Sequence, residues 1–209
     1  MSPAAKRGIL VFVVGLALLV GALVFEYLYL TPGPGTEATV LAPRGAAAIG
    51  GPFTLTDQNG RVRHDTDFHG KLMLVYFGYT YCPDVCPTEL QTMSQAMDIL
   101  GAKGKEVQPI FITVDPERDT VEEMKAYAAN FHPRLLALTG TPEEIARAAR
   151  AYKVFYQKAP QADGGDYLMD HSSIVYLMGR DGRYLAHFGG DTTAEQMAEA
   201  IAKQLDATS

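Results

Sequence analysis

Two scarcities in this chain of 209 residues exclude broad classes of protein before any motif is considered. Lysine and arginine total 18 against 24 aspartate and glutamate residues, so the net charge is −6. The chain therefore lacks the basic excess of a nucleic-acid-binding protein, and no basic patch stands out along it. Cysteine occurs only twice, which is too few for a disulfide framework in a domain of this size. The two thiols therefore need another explanation.

The N-terminal stretch has no charged side chain between Gly8 and Phe25. With the residues up to Leu30, it reaches the length of about 20 residues that a helix needs to cross the core of a bilayer. Lys6 and Arg7 precede it. Because positive residues are retained on the cytoplasmic side, we expect the N-terminus inside and the rest of the chain outside.

A cleaved signal peptide is the competing interpretation of this stretch. Signal peptides have a shorter apolar core, followed closely by small residues at the cleavage site. The flank here is Glu26-Tyr-Leu-Tyr-Leu-Thr31, which offers no such site. The sequence therefore favours an uncleaved, single-pass anchor over residues 1–30 in the cytoplasmic (inner) membrane, with a soluble domain on the periplasmic side.

Composition changes sharply after the apolar stretch. Proline, glycine and alanine dominate residues 31–48, which we expect to form a flexible linker. Residues 49–209 contain no internal repeats and are predicted to form one domain. Within it, apolar runs at 71–77 and 107–114 are typical of strands buried on both faces. Asn-Gly at 59–60 and Asp-Gly further on predict turns of hairpins.

Helical periodicity and capping signals alternate with these runs. Apolar residues recur at helical spacing over 90–100, in a helix predicted to open at Pro87. Thr120 and Thr141, each followed three residues later by glutamate, are capping-box signals, and Thr193 is expected to cap a last helix. Strands that alternate with helices predict an α/β domain with right-handed crossovers and with hairpins at its edges.

Cys82 and Cys86 lie between a buried strand and the opening of a helix. Open α/β sheets place their sites at the carboxyl ends of strands, and a helix N-terminus favours thiolate over thiol. Three residues separate the two cysteines, whereas dithiol oxidoreductases typically have two. On a first helical turn this spacing would put both sulfurs on one face. There they could flank a soft ion such as Cu(I) or zinc, or form a disulfide, and the spacing alone leaves both open.

Four stretches resemble the Sco/SenC family of copper-binding assembly proteins, over about residues 49 to 206. They are Ile49-Gly-Gly-Pro-Phe-Thr-Leu-Thr-Asp57, Tyr76-Phe-Gly-Tyr-Thr-Tyr-Cys-Pro-Asp-Val-Cys-Pro87, Val114-Asp-Pro-Glu-Arg-Asp119 and Asp170-His-Ser-Ser-Ile174. The combination of Cys-x-x-x-Cys-Pro with a later Asp-His-Ser is specific to the family. The resemblance implies a thioredoxin-like α/β domain with an added N-terminal β-hairpin, preceded by one transmembrane helix.

The resemblance also implies a copper site formed by Cys82, Cys86 and His171, which binds Cu(I) or Cu(II). Without it, a lone histidine before a strand would be interpreted as a hydrogen-bonded loop residue. Family members help to deliver copper to the dinuclear copper centre of cytochrome c oxidase subunit II. That subunit is therefore the expected partner, and another periplasmic copper chaperone is a candidate donor.

The same two thiolates would also serve a thiol–disulfide reductase acting on the cysteines of that partner, with Cys82 and Cys86 as catalytic residues. Thioredoxin-like reductases carry a cis-proline in the loop that faces the cysteines, but the matching segment, residues 167–173, contains no proline. That absence favours metal binding. A redox or copper sensor would use the same residues and stays open. Peroxidase chemistry is disfavoured because Tyr79 stands where a Thr-x-x-Cys pattern has threonine.

The polar residues near these motifs have simpler interpretations. We expect Asp115 and Asp119, which follow a strand and precede a helix, to be loop charges that complement the helix dipole. Asp170 could orient the adjacent histidine, but neighbouring residues of an extended segment usually point apart. Tyr79 and Tyr81 flank the cysteines and are expected to shield the site or to form a docking face.

Overall fold

The structure is a computed structural model that describes Val20 and residues 49–159 and 166–207. The chain divides into two units after residue 46, and apart from Val20 the described residues belong to the second. The anchor and linker predicted over residues 1–48 lie, apart from Val20, outside the described residues. Among the residues that the structure describes, no helix has the length and apolar character needed to cross a membrane.

Nine strands and four α-helices follow one another in the described part of the chain. In chain order they are β1 (Thr54–Asp57), β2 (Val62–His64), β3 (Leu72–Gly78), α1 (Val85–Leu100), β4 (Val107–Thr113), α2 (Val121–Ala128), β5 (Leu136–Thr139), α3 (Pro142–Ala151), β6 (Tyr156–Ala159), β7 (Leu168–His171), β8 (Val175–Met178), β9 (Tyr184–Phe188) and α4 (Ala194–Ala207). Seven strands form one sheet in the order β2-β1-β5-β4-β3-β8-β9, and β6 pairs with β7 separately. The predicted α/β class is confirmed.

The centre of the large sheet is the parallel set β3, β4 and β5. Every residue of β3 is buried, and so is every residue of β4 except Gln108. Such continuous apolar runs suit strands covered on both faces, because neither face needs polar side chains. Both predicted buried strands are therefore confirmed. Their carboxyl ends, at Gly78 and Thr113, pair side by side at one edge of the molecule.

Hairpins close the two sides of this sheet, as the turn signals predicted. β1 and β2 pair antiparallel at one side, and β8 and β9 pair antiparallel at the other. The turn glycines Gly60 and Gly182 both have φ of 76°, a left-handed conformation that glycine adopts without a steric penalty. β8 in turn pairs antiparallel with β3, so the chain after residue 174 lies beside the central strand.

Side-chain caps fix the starts of three helices. The hydroxyl of Thr141 accepts from the backbone of Glu144, whose carboxylate accepts from the backbone of Thr141, which is the predicted capping box. Thr120 accepts from the amide of Glu123. Thr193 caps α4 in the same way. Each cap satisfies an amide that has no partner within its own helix.

The hairpin of β6 and β7 was not predicted. Its strands pair Tyr156 with His171 and Ala159 with Leu168. Neither strand is a strong apolar run, since three of the eight residues are exposed and only Met169 is buried. Because the hairpin packs only partly against the core, its sequence carries little of the hydrophobic pattern by which strands are recognised. It matters here because His171 is its last residue.

Candidate metal centre

The two cysteines lie on either side of the start of α1. Cys82 is half-buried in the loop that follows β3, and Cys86 is buried. The helix begins at Val85, two residues before the predicted start at Pro87, so Cys86 belongs to its first turn and Cys82 precedes it. The chain tolerates Pro87 in this turn because amides there have no intrahelical partner. The two cysteines therefore do not share the first helical turn, because only Cys86 lies in it.

The fold brings these cysteines together with His171, which lies 85 residues further along the chain than Cys86. Taking one ligand atom from each residue, the two sulfurs and a ring nitrogen all lie within 4.8 Å of one another. The Cys86 sulfur is 3.3 Å from Nε2 of His171, and the Cys86 amide donates to the Cys82 sulfur over 3.4 Å. Both cysteines are free thiols rather than a disulfide. The structure thus assembles the three residues that the sequence singled out.

One proton is shared unequally between the two thiols. A hydrogen bond from Cys86 lowers the pKa of Cys82 to about 3, with smaller contributions from His171 and from the backbone amide of Asp84. The same hydrogen bond, together with burial, raises the pKa of Cys86 well above its ordinary value. The pair therefore carries one negative charge, located on the more accessible sulfur. Thiolate is the form that binds soft metals and attacks disulfides.

The ring of His171 is oriented by its surroundings. Its Nδ1 faces the backbone carbonyl of Ser172 over 3.2 Å. Since a carbonyl oxygen only accepts, a neutral ring carries its proton on Nδ1 and leaves the lone pair of Nε2 directed at Cys86. Tyr79 meets the ring edge-on, with centroids 5.8 Å apart, and Tyr76 lies 6.2 Å away. The imidazole is thus presented with its ligating nitrogen towards the sulfurs.

Two residues of β3 support the site although sequence reasoning did not single them out. A Cβ atom at Gly78 would lie 2.9 Å from the sulfur of Cys86, so only glycine allows this approach. The hydroxyl of Tyr76 is 3.4 Å from that of Ser173, in the segment just after His171. Both lie within the stretch that resembles the known family. The sequence did contain a signal for them. Tyr76 and Gly78 are two residues apart, so they share one face of a strand that ends at the cysteine loop.

Asp115 and Asp119 lie in the loop between β4 and α2, as expected, but their side chains are buried. They are only 1% and 0% exposed, because the loop after β4 folds back beneath the cysteine loop. The Asp119 carboxylate accepts from the hydroxyls of Thr80 and Thr113, both at 2.5 Å, and burial raises its pKa. Thr80 is two residues before Cys82. These buried carboxylates therefore belong to the support of the site.

Asp170 does not touch the ring of its neighbour, as expected for adjacent residues of an extended segment. Its side chain is exposed, and one oxygen accepts from the Gln157 amide over 3.3 Å on the paired strand. Asp170 therefore has no direct part in orienting His171. The backbone carbonyl of Ser172 takes that position instead.

Exposed apolar side chains surround the three candidate ligands. Tyr81, next to Cys82, is 53% exposed, and Val85, next to Cys86, is 43% exposed. Phe155 is 58% exposed, and its backbone is hydrogen-bonded to Ser172. Exposed apolar groups clustered around a polar centre are typical of a docking surface. The predicted docking role of Tyr81 agrees with this exposure, whereas Tyr79 is buried and shields the site.

The donor set fits a soft transition metal. Two sulfurs and one imidazole nitrogen converge from one side of the molecule, and Cys82 and His171 are both partly exposed. Thiolate ligands select Cu(I), zinc or iron–sulfur clusters, and imidazole suits copper and zinc in either a closed or an open site. With only three protein ligands, a bound ion would retain a position open to exchange.

Comparison with known proteins supports this interpretation. The model of the SCO1/SenC family matches residues 41–206. The mitochondrial SCO2 homolog of Bos taurus is 45% identical over 168 residues, which cover 79% of this chain and 63% of that protein. The chain therefore spans less than two thirds of the length of this curated relative.

Solved structures show the same fold. Bradyrhizobium japonicum ScoI with copper bound has a TM-score of 0.70 and 48% identity, covering 75% of this chain and 99% of that one. BsSco, described as a member of the Sco family of cytochrome c oxidase assembly proteins in which a disulfide switch was identified, has a TM-score of 0.62 and 27% identity, covering 77% and 95%. The predicted thioredoxin-like α/β fold is confirmed by these likenesses. The chain belongs to the SCO1/SenC family.

Proposed function

We propose that this protein is a copper metallochaperone that binds Cu(I) or Cu(II) through Cys82, Cys86 and His171. The observation that carries the proposal is the convergence of two sulfurs and one imidazole nitrogen within 4.8 Å. The copper-bound ScoI of B. japonicum, at 48% identity, supports copper as the metal. The partner we propose is subunit II of cytochrome c oxidase, at its dinuclear copper centre, with a periplasmic copper chaperone as donor.

The protonation pattern suits the capture of a soft cation. Cys82 offers a thiolate at the accessible edge of the site, and Nε2 of His171 offers a lone pair. Cys86 must lose its proton to become the third ligand, so binding releases a proton to solvent. Few ligands and partial exposure then allow a partner's ligands to replace these one at a time. The apolar rim of Tyr81 and Phe155 would hold the partner during exchange.

The proposed setting is the outer face of the cytoplasmic membrane. Residues 1–30 would serve as the anchor and residues 31–48 as the linker, with the family domain outside. Lys6 and Arg7 precede the apolar stretch and support this orientation, because positively charged residues stay on the cytoplasmic side. The linker would let the domain reach a partner that stands above the bilayer.

A reductase is the second candidate, and the low pKa of Cys82 favours it specifically. The Cys82 thiolate would attack a disulfide of the partner and form a mixed disulfide, releasing one partner thiolate. Cys86 would then lose its proton, attack the Cys82 sulfur and release the second partner thiol. The products would be a reduced partner and a Cys82–Cys86 disulfide, so each protein molecule would supply two electrons once.

A copper titration tests the first candidate. The full chain, purified in mild detergent with reduced thiols, should compete with a coloured Cu(I) chelator for one copper ion. The Cys82→Ser, Cys86→Ser double variant should lose this binding. If the double variant retains copper as tightly as the parent chain, the chaperone proposal is wrong. Reduction of a peptide disulfide at a rate that His171→Ala does not change would favour the reductase instead.

A further inference from the structure

Arg118 is a largely buried cation that contacts both halves of the candidate metal centre. Arg118 lies in the loop between β4 and α2, and its side chain is only 16% exposed. Its Nε donates to the carboxylate of Asp115, which is 1% exposed. Its Nη1 donates to the backbone carbonyl of Tyr167 over 2.9 Å. The Tyr167 hydroxyl donates to the carboxylate of Asp115, also over 2.9 Å. Arginine, aspartate and tyrosine thus form a closed ring of hydrogen bonds.

The same guanidinium lies against aromatic rings from both sides of the site. Its central carbon is 3.8 Å from the ring centroid of Tyr167, 4.8 Å from that of Tyr81 and 5.8 Å from that of Tyr79. Its Nη2 is buried and, among the described residues, has no hydrogen-bond partner. The ring faces therefore take the place of a further acceptor for this cation.

These contacts span the two segments that carry the candidate ligands. Tyr79 and Tyr81 belong to the loop that ends at Cys82, whereas Tyr167 directly precedes β7, which ends at His171. Arg118 belongs to neither segment. It is anchored by Asp115 at the carboxyl end of β4, in the centre of the large sheet.

The hairpin of β6 and β7 needs such an anchor. No strand of the large sheet pairs with it, and a two-stranded hairpin is marginally stable by itself in water. The other contacts with the cysteine side include the Cys86–His171 contact and the tyrosine rings beside His171. Neutral hydrogen bonds also run from Tyr79 to the backbone of Met169 and between Tyr76 and Ser173. Hydrogen bonds to charged groups are stronger than neutral ones, and Arg118 adds the stacking of a planar cation.

We propose that Arg118, held by Asp115, is the positioning residue that fixes the His171 hairpin against the cysteine loop, so that copper is held by three ligands rather than by two thiolates alone. This inference rests on the proposed copper site. Two sulfurs suffice for Cu(I), which accepts linear coordination, whereas Cu(II) favours nitrogen ligands and higher coordination. Loss of Arg118 should therefore weaken Cu(II) binding selectively.

The test compares both copper ions on the full chain in detergent. Arg118→Gln keeps a polar side chain but removes the cation and its fork of donors. We expect its affinity for Cu(II), measured under anaerobic conditions, to fall about tenfold. Losses of this size are seen when residues that hydrogen-bond to metal ligands are removed. We expect its affinity for Cu(I), from chelator competition, to change less than about threefold. The electron paramagnetic resonance spectrum of bound Cu(II) should lose the hyperfine coupling to the ring nitrogen of His171.

Conservative and matched variants separate positioning from general stability. Arg118→Lys retains a cation but lacks the planar fork of donors and the stacking surface of the guanidinium, so it should restore the Cu(II) spectrum only in part. Lys158 is another cation that lies over the aromatic ring of Tyr167, with its Nζ 4.5 Å from the ring centroid. It is exposed and paired with Glu117, and Lys158→Gln removes it. Exposed ion pairs contribute little to stability, so the Lys158→Gln variant should bind both copper ions like the parent chain.

A remote arginine controls for the loss of a partly buried cation. Arg180 donates to the carbonyl of Gly70 and pairs with Glu106, at the other end of β3 from the cysteines. Arg180→Gln should lower the melting temperature without changing the Cu(II) spectrum. If Arg118→Gln does not fold, Tyr167→Leu, which removes the stacked ring, should give the same selective loss of Cu(II).

The outcomes separate this inference from the proposed function. If the parent chain binds neither copper ion, the proposed function fails. If the parent chain binds copper but Arg118→Gln, or Tyr167→Leu in its place, keeps the nitrogen-coupled Cu(II) spectrum, Arg118 does not position His171. Equal losses of Cu(I) and Cu(II) would also overturn the inference, because they would indicate general damage to the site.

Discussion

The two sides of the candidate metal centre are built in different ways. Cys86 lies in the first turn of α1, and its sulfur packs against Gly78 at the end of the fully buried β3. His171 ends a two-stranded hairpin that no strand of the large sheet extends. A rigid pair of sulfurs and a separately held imidazole would let one site bind copper by two or by three ligands. The difference suggests that the histidine side is the adjustable part of the site.

Amide hydrogen exchange tests this comparison with the largest expected effect. Amides of β3 exchange only when the whole domain unfolds, whereas a hairpin held by few contacts opens locally. We expect the amides of β7 to exchange about a thousandfold faster than those of β3 in the metal-free chain. Equal protection of both strands, measured by mass spectrometry after proteolysis, would mean that the hairpin is as rigid as the sheet.

Removal of the imidazole should have the next largest effect. His171→Ala leaves both sulfurs in place but removes the nitrogen ligand that suits Cu(II). Loss of outer partners alone costs about 10-fold to 100-fold in metal affinity, so we expect a loss of Cu(II) affinity of at least about 100-fold. Cu(I) affinity, measured by chelator competition, should fall much less. If both affinities fall equally, the imidazole matters for either oxidation state and the comparison is wrong.

The pH dependence of the Cys82 thiolate tests mainly the cysteine side, because the hydrogen bond from Cys86 is the largest cause of its low pKa. Because the pKa of Cys82 is lowered to about 3, its thiolate should persist from neutral pH down to about pH 4 and disappear only below that. Cys86→Ala removes the hydrogen bond that is the largest cause of this shift, so the midpoint should rise by more than about two pH units. The ultraviolet absorption of the thiolate, followed as a function of pH, measures the midpoint in the parent chain and in the variant. A midpoint near that of an ordinary thiol in the parent chain would contradict the shared proton.

The smallest expected effect concerns the hydroxyl of Tyr76. Tyr76→Phe keeps the buried ring but removes the contacts of its hydroxyl with Ser173, in the segment after His171, and with Cys86. We expect the free energy of unfolding to fall by about 1 to 2 kcal/mol, because the usual net value of a hydrogen bond is about 1 kcal/mol. Copper affinity should be almost unchanged, because Arg118 still holds the hairpin. A large loss of Cu(II) affinity would transfer the positioning role from Arg118 to Tyr76.

Much of the large sheet could be predicted because its pattern is local. The apolar runs of β3 and β4 and the glycine turns of both edge hairpins are visible within a few residues of sequence. The cap at Thr141 is equally local, since the residues that form it are three apart. The hairpin of β6 and β7 could not be predicted in this way, because its strands are short, mixed in polarity and only partly buried.

The buried acidic residues show a second limit of local patterns. Asp115 and Asp119 have the sequence context of loop residues before a helix, which predicts charges that complement the helix dipole. Their burial depends on residues distant in the chain, since Tyr167 and Thr80 supply donors from other segments. A charge is expected at the surface unless partners satisfy it, and those partners are brought together only by the fold.

The sequence by itself determined the candidate ligands and the fold class of this protein. The cysteine spacing after a buried strand singled out Cys82 and Cys86, and the family resemblance added His171. The alternation of strands with helices predicted the α/β class. Only the tertiary structure decided which sulfur carries the charge, which nitrogen faces it, and that Arg118 lies between the two halves. These features depend on distances between segments far apart in the chain, and no local pattern encodes such distances.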